Sequence, residues 1–168
     1  MDVKFAISFH GASPVWQSIN GGPHVVSARV QTDPLIGPAL RQALQRSAIL
    51  VQNDAKRGAP VDTGRLRASV THALDSRPVP LYATVGTNVK YALEVHDGRK
   101  PGTMPPPREI AKWAKRHNMN PYAVARAIER RGTPPHPFLT DAIEVNASNI
   151  RAEFAHAAKM IEAAWRTS

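Results

Sequence analysis

Residues 58–69 read Gly-Ala-Pro-Val-Asp-Thr-Gly-Arg-Leu-Arg-Ala-Ser, and this stretch decides how the chain on either side is arranged. Gly58 ahead of Pro60 is typical of the end of a helix, because glycine closes helices and proline cannot continue them. Asp62-Thr63-Gly64 is typical of a tight turn in which the Asp or Thr side chain accepts backbone N–H groups and the glycine adopts a positive φ. We therefore predict a helix before residue 58, a turn at 62–64 and a strand after it.

The segment before the turn is predicted to be a long helix. One apolar stripe at helical spacing contains Ile36, Leu40, Ala43, Leu44, Ser47 and Val51. Asp33-Pro34 fits a helix N-cap followed by proline at the first helical position. Residues 1–35 contain two runs with strand-like patterns, at 3–9 and 24–32, and are predicted to form a β-rich N-terminal extension.

Three short runs after the turn alternate apolar residues with period two, the spacing of a strand with one buried face. These runs contain Leu66, Ala68 and Val70, then Leu81, Ala83 and Val85, then Tyr91, Leu93 and Val95. Turns at 77–78 and 87–88 would connect them. We expect a small antiparallel meander.

The C-terminal half of the chain is predicted to be helical. Two short helices over 108–131 form a hairpin, with Ile110, Trp113 and Ala114 of the first pointing inward and the second capped by Asn120 and closed by Gly132. A long helix follows, with an apolar stripe that contains Leu139, Ala142, Ile143, Ile150, Phe154, Ala157, Ala158, Ile161 and Trp165.

These elements predict a single α+β domain over residues 1–168. A small antiparallel sheet would pack against the long helix of the N-terminal half and the long C-terminal helix, with the helical hairpin at 108–131 as an insertion. The loop 98–107 contains two glycines and four prolines. We expect it to have little apolar anchoring and to be mobile in the free subunit.

The composition limits the functions open to the chain. It contains no cysteine, which excludes disulfides, thiolate metal sites and cysteine nucleophiles. Its 22 Lys and Arg against 13 Asp and Glu give a formal net charge of +9, which favours contact with nucleic acid or an acidic protein surface. There is no phosphate-binding glycine loop, His-Glu-x-x-His pair or nucleophile elbow. We expect no enzymatic activity, no cofactor and no membrane partner.

Two motifs have alternative interpretations as chemical sites. Asp62-Thr63-Gly64 matches an aspartic-protease loop, in which carboxylates from two copies would share one proton. The charges of Arg65 and Arg67 oppose such a proton, so the protease is a remote alternative. Glu94, His96 and Asp97 match a metal cluster in residue type, but no further ligand is spaced to close it. A solvated strand end is the favoured interpretation there.

The hairpin at 108–131 is strongly basic, which is also typical of a helix-turn-helix domain. A basic DNA-binding protein that uses this hairpin is therefore an alternative function. The candidate contacts to a protein partner or to DNA are Arg99, Lys100, Lys112, Lys115, Arg116, Arg130 and Arg131.

Three motifs follow one another in order along the chain. After residues 58–69 comes Val-Gly-Thr-Asn-Val-Lys-Tyr-Ala at 85–92, and then His-Pro-Phe-Leu-Thr-Asp-Ala at 136–142. Together they resemble the signature of the tail-component family of long-tailed bacteriophages, described as tail-completion or neck proteins, over about residues 36 to 165. The motif residues are Pro60, Asp62, Thr63, Gly64, Arg65, Leu66, Gly86, Tyr91, Pro137, Phe138 and Leu139.

The resemblance implies a structural virion protein. It implies a homo-oligomeric ring of about six copies at the head-tail junction, which completes the tail or joins it to the head. The implied partners are further copies of the chain, the tail terminator or tail tube protein, and head-side connector proteins, with non-specific contact to genomic DNA in the channel. The implied location is the tail or neck of the virion, and the host cytoplasm during assembly.

Overall fold

A computed structural model describes residues 7–9, 26–28, 36–74 and 81–167 of the chain. Its largest elements are two helices, α1 (Ile36–Gly58) and α6 (Phe138–Thr167), which pack along each other. The core between them and the sheet is formed by the apolar stripes that the sequence predicts. The two helices contribute Leu40, Leu44, Val51, Phe138, Leu139, Ile150, Phe154 and Ile161 to it. Ala158 and Trp165, predicted to lie on the same stripe, are instead exposed.

The sheet is organised around one strand, β4 (Leu81–Thr87). On one edge β3 (Thr71–Leu74) pairs with it antiparallel, with Thr71 opposite Gly86. The strands β1 (Ile7–Phe9) and β2 (Val26–Ala28) pair with opposite ends of β4, so they share its other edge. β2 is antiparallel to β4 and β1 is parallel, and α1 packs against β3 and β4. The predicted α+β class is confirmed, with the parallel β1 as an addition.

The predicted helical hairpin is confirmed as α4 (Pro107–Arg116) and α5 (Pro121–Arg131), which pack against each other. Asn120 caps α5, because its side-chain oxygen accepts the N–H of Tyr122 at 2.8 Å and that of Ala123 at 3.3 Å. Gly132 ends the helix with a φ of 69°. The predicted caps at 33–34 and the turn at 77–78 lie outside the described residues.

The first predicted strand after the turn is wrong, because residues 65–69 form the short helix α2 (Arg65–Ser69). The Ala68 N–H donates to the Gly64 carbonyl at 2.9 Å, a helical bond. Leu66 and Val70 are buried, while Ala68 between them is exposed. Residues four apart, such as Leu66 and Val70, lie on one face both in a helix and in a strand. Ala68 between them would be buried in a strand and exposed in a helix, but alanine is too weakly apolar for the sequence to distinguish the two patterns.

The third predicted strand is also wrong, since residues 92–96 form the helix α3 (Ala92–His96). Ala92 and His96 are the buried residues, whereas Tyr91 and Leu93 are exposed. Of the three strands of the predicted meander only the middle one is confirmed, as β4; β3 was not predicted, and the chain leaves the sheet after Thr87. A run of five residues is too short for its apolar spacing to distinguish a strand from a helix.

The loop 98–107 has more anchors than the sequence suggests. The backbones of Arg99 and Thr133 pair with two hydrogen bonds, of 3.0 and 2.8 Å. The Gly102 N–H donates to the Glu129 carbonyl at 2.8 Å, and Pro105 is buried. Pro105 is the one buried residue of the loop, so its apolar anchoring is small, but the backbone hydrogen bonds tie it to α5 and to the segment that follows. The mobility of the loop in the free subunit stays a prediction.

A polar contact is buried in the packing of α1 against α6. Asn146 on α6 donates to the Asp54 carboxylate on α1 and to the Ala142 carbonyl, the latter at 2.8 Å. Arg57 contacts the same carboxylate from the exposed side. Because an unpaired buried amide or carboxylate would be costly, this contact favours one register of the two helices.

Phe138 is 1% exposed at the first position of α6. We predict that Phe138→Ala lowers the free energy of unfolding by about 3–5 kcal/mol, through lost burial and the remaining cavity. Urea unfolding would measure this change. Val145→Ala is the matched control on the same helix; Val145 is 70% exposed, so the change should stay within about 0.5 kcal/mol. Equal effects of the two variants would contradict the burial of Phe138.

Candidate functional site

The first and third motifs meet where α1 ends and α6 begins. The His136 ring nitrogen Nε2 lies 2.9 Å from the Gly58 carbonyl oxygen and donates to it. Phe138 packs against Gly58 itself, since a Cβ placed on this glycine would lie 3.5 Å from the Phe138 Cβ. This is an ordinary van der Waals distance, so the first residue of α6 packs directly on the end of α1.

The second and third motifs meet through the residues that follow the second motif. The His136 N–H donates to the Val95 carbonyl at 3.0 Å and to the His96 carbonyl at 3.1 Å. The buried His96 ring contacts Thr140 Oγ1 at 3.2 Å and packs edge-on against Phe138, with ring centroids 5.6 Å apart. These bonds fix the first turn of α6 against α3.

The first and second motifs meet through two hydroxyl groups. Ser69 Oγ and the buried Thr87 Oγ1 are 2.6 Å apart. Ser69 donates to the Leu66 carbonyl at 2.8 Å, and Thr87 accepts the Val89 N–H at 3.2 Å. Since the Ser69 proton is used on Leu66, Thr87 donates to Ser69. This directed chain of bonds joins α2 to the end of β4. We call the region where all three motifs meet the motif junction.

Asp62 lies beside the motif junction and binds the helical hairpin. Its carboxylate accepts two hydrogen bonds from the Arg116 guanidinium, one of them from Nε at 3.2 Å, and His117 Nε2 lies 3.4 Å away. The prediction that Asp62 or Thr63 accepts backbone N–H groups is therefore wrong for Asp62. The turn at 62–64 also joins two helices, α1 and α2, and not a helix and a strand.

The Arg116 guanidinium lowers the pKa of the Asp62 carboxyl below its usual value of 3.8, chiefly through the hydrogen bonds and also through its charge. His117 acts in the same direction. A carboxylate held in its ionised form is poorly suited to share a proton, so the geometry argues against the protease interpretation. The cation responsible is Arg116, whereas the sequence pointed to Arg65 and Arg67.

The motif residues divide into a buried and an exposed group. The buried group forms the core and the centre of the sheet, and comprises Leu66, Gly86, Phe138 and Leu139, with Gly64 and Pro137 partly covered. The exposed group comprises Pro60, Asp62, Thr63, Arg65 and Tyr91. Gly64 has a φ of 77°, as predicted. The motifs therefore both build the fold and leave a set of side chains at the surface.

The predicted partner contacts lie in different places. Lys112 and Lys115 are exposed on α4, while Arg116 is occupied by Asp62. Arg130 and Arg131 are exposed at the end of α5, where the backbone pairing of Arg99 with Thr133 also brings the loop that carries Lys100. Trp113, predicted to point inward, lies at the surface and packs on His117, with ring centroids 4.3 Å apart.

The predicted metal candidates have other partners. His96 bonds to Asp97 at 2.7 Å and to Thr140, while Glu94 is exposed. Within residues 36–74 and 81–167 no three His, Asp or Glu side chains are placed to hold a metal ion. In the same part of the chain no helix is long and apolar enough to cross a membrane.

The sequence identified the residues that join the motifs but not their contacts. Ser69, Thr87 and His136 lie within the three motifs, and His96 was considered only as a metal ligand. Nothing in the sequence paired them, because contacts such as Ser69 with Thr87 and His136 with Gly58 join distant positions and depend on the tertiary fold.

Replacing Gly64 tests the backbone of the turn. A Cβ on Gly64 meets nothing within 4 Å, so Gly64→Ala should cost only the positive φ, about 1–2 kcal/mol of unfolding free energy. Gly132→Ala should cost more, because its Cβ would overlap the Arg99 carbonyl oxygen. Gly37→Ala, in open space at the second residue of α1, is the control and should change the unfolding free energy by less than about 0.5 kcal/mol. Chemical denaturation should rank the three variants by loss of unfolding free energy, with Gly132→Ala first, Gly64→Ala second and Gly37→Ala last. A different ranking would contradict the positive φ of Gly64.

The titration of Asp62 tests its pairing with the hairpin. Carboxyl NMR should give a midpoint below 3.8, which rises toward the usual value in Arg116→Met. Since the pKa is lower in the folded state, the stabilising contribution of the pair is present above about pH 4 and is lost as the pH falls through the lowered pKa. A midpoint above 3.8 in the wild type, as a shared proton requires, would support the protease instead.

Comparison with known proteins agrees with the sequence motifs. The model of the family described as "Bacteriophage HK97-gp10, putative tail-component" matches residues 33–98. This segment contains α1, the first two motifs and α3, and it ends before the hairpin and α6. No curated protein and no solved structure matches the chain. The resemblance predicted from the sequence is therefore confirmed over residues 33–98, which match the bacteriophage tail-component family.

Proposed function

We propose that this protein is a structural component of a bacteriophage tail, which forms a ring at the head-tail junction and completes the tail or joins it to the head. The match of residues 33–98 to the tail-component family carries this proposal. The third motif supports it from outside the matched segment, because it packs directly on the first.

The use of the polar groups at the motif junction supports a role in assembly and not in catalysis. Ser69 hydrogen-bonds to Thr87 and to the Leu66 carbonyl, and His96 hydrogen-bonds to Thr140. Asp62 is paired with Arg116. A catalytic group must be free to exchange protons or bonds with a substrate, whereas these groups hold helices and strands in place.

Large apolar side chains remain exposed on the subunit, as is typical of surfaces that are buried on assembly. They include Leu93, Met119, Tyr122 and Val145. In the proposed ring of about six copies, such residues would contact neighbouring copies, the tail terminator or tail tube protein, and head-side connector proteins. The protein would then reside in the tail or neck of the virion after assembly in the host cytoplasm.

DNA binding by the hairpin is the second candidate function. Lys112, Lys115, Arg126, Arg130 and Arg131 are exposed, and among the described residues none of them forms an ion pair. In a ring this charge would also face the genome non-specifically as it passes through the channel. Sequence-independent DNA binding that weakens steeply with salt, together with a normal virion in the absence of the protein, would favour this alternative.

Deletion of the gene from the phage tests the proposed function. DNA packaging and tail-tube polymerisation should continue, because a joining protein is needed for neither, and lysates should contain filled or leaking heads beside separate tails. Electron microscopy measures this outcome directly. Purified protein added to the lysate should restore joining in proportion to its amount, because each copy stays in a particle.

The matched control adds the Phe138→Ala variant at the same concentration, which should join fewer particles if the fold is needed. Rescue by trace amounts would indicate a catalyst that turns over. A lysate that contains only empty, unprocessed proheads would contradict the head-tail role and reopen the protease interpretation of Asp62.

A further inference from the structure

An acidic surface stands out in this basic chain. Residues 91–98 and 136–150 contain four carboxylates and no Lys or Arg, in a chain of net charge +9. The contact of His96 with Thr140 brings the two segments together, and Arg99 and Lys100 follow at the border of this surface. We use the name acidic surface for the surface formed by Leu93, Glu94, Asp97, Asp141, Glu144 and Val145.

Apolar side chains are exposed within the acidic surface. Leu93 is 47% exposed and Val145 is 70% exposed. Among the described residues, no Lys or Arg pairs with Glu94, Asp97, Asp141 or Glu144. Exposed apolar residues beside carboxylates that no Lys or Arg neutralises are typical of a docking site for a partner of opposite charge.

The helical hairpin carries a surface of the opposite sign. We use the name basic surface for the surface formed by Lys112, Trp113, Lys115, Met119 and Tyr122. All five residues are exposed, and they lie on α4 or beside the turn that follows it. Lys112 and Lys115 have no carboxylate partner among the described residues, whereas Arg116 is already paired with Asp62. The Arg116–Asp62 pair, with His117 Nε2 3.4 Å from the same carboxylate, ties the end of α4 to the turn at 62–64.

The two surfaces form no ion pair with each other among the described residues of one subunit. α4 and α5 pack chiefly on each other, and within the described part of the chain no ion pair joins the hairpin to α3 or α6. Each surface is therefore open to another molecule. One chain thus presents two surfaces of opposite charge, and each of them contains exposed apolar side chains as well as charged ones.

We propose that the basic surface of one copy docks on the acidic surface of the next copy, head to tail. The inference rests on the proposed ring and names the contact that builds it. A contact between two different surfaces of identical chains forms a closed ring when its rotation closes. The opposite charges would steer the approach and set the register, while Trp113, Tyr122, Leu93 and Val145 would be buried between copies.

A second copy fits the acidic surface better than nucleic acid, because its carboxylates would repel phosphates. It also fits the basic surface, because the same chain supplies the matching carboxylates and exposed Leu93 and Val145. The hairpin lies outside residues 33–98, the matched family segment. It would therefore be an added docking element on the family fold.

Charge reversal tests the proposed contact in solution. Lys112→Glu/Lys115→Glu and Glu94→Lys/Asp141→Lys/Glu144→Lys each place net like charges opposite one another, so each should weaken self-association by at least about tenfold. Sedimentation velocity at physiological ionic strength measures this, since the Debye length of about 8 Å there leaves close pairs effective. A mixture of the two variants should assemble again, because every contact then joins opposite charges.

The control variant is Arg151→Glu/Lys159→Glu, which changes the net charge as much as the hairpin variant does but on the exposed face of α6 outside both surfaces. It should associate like the wild type within about twofold. Circular dichroism would verify that all variants are folded.

Four outcomes would overturn the docking proposal. In the first, the wild type forms rings and both reversals leave them intact, so the contact is wrong and the ring stands. In the second, mixing the two variants does not restore assembly. In the third, the wild type does not self-associate, so the proposed ring fails as well. If the hairpin reversal abolished DNA binding and left the ring unchanged, the basic surface would belong to nucleic acid.

Discussion

The packing of Phe138 against the last turn of α1 is the contact on which the rest of the structure depends. Phe138 lies directly against Gly58, and His136 donates to the carbonyl of the same glycine. With the first turn of α6 fixed in this way, the two long helices pack along their length, and α1 in turn supports β3 and β4. A substitution that disrupted the contact between Phe138 and the end of α1 would displace α6, α3 and the turn at 62–64 together.

The sequence predicted the long elements well and the short ones poorly. α1, the hairpin and α6 extend over enough turns to show a helical period and carry recognisable caps, such as Asn120 and Gly132. Residues 65–69 and 92–96 are too short for this. Their helices bury residues four apart, which a strand pattern also places on one face. The motif residues were identifiable from the sequence, but the pairing of Asp62 with Arg116 spans 54 positions and depends on the tertiary fold.

The chain divides into a part that matches a known family and a part that extends it. Residues 33–98 contain the helix, the turn and the central strand, whose polar groups are used to hold the fold together. The hairpin is attached to that part through Asp62 and through the backbone pairing of Arg99 with Thr133. A rigid scaffold that carries a basic hairpin at one place and an acidic surface at another is suited to repeated head-to-tail contacts.

The presence of the protein in finished particles tests the structural role most directly. Quantitative mass spectrometry of purified virions, calibrated against a labelled standard of this chain and against a tail protein of known copy number, would count its copies. A structural ring predicts a fixed, small number per particle, about six on the present account, that does not change between preparations. Absence from purified virions, or a number that varies from one preparation to the next, would contradict it.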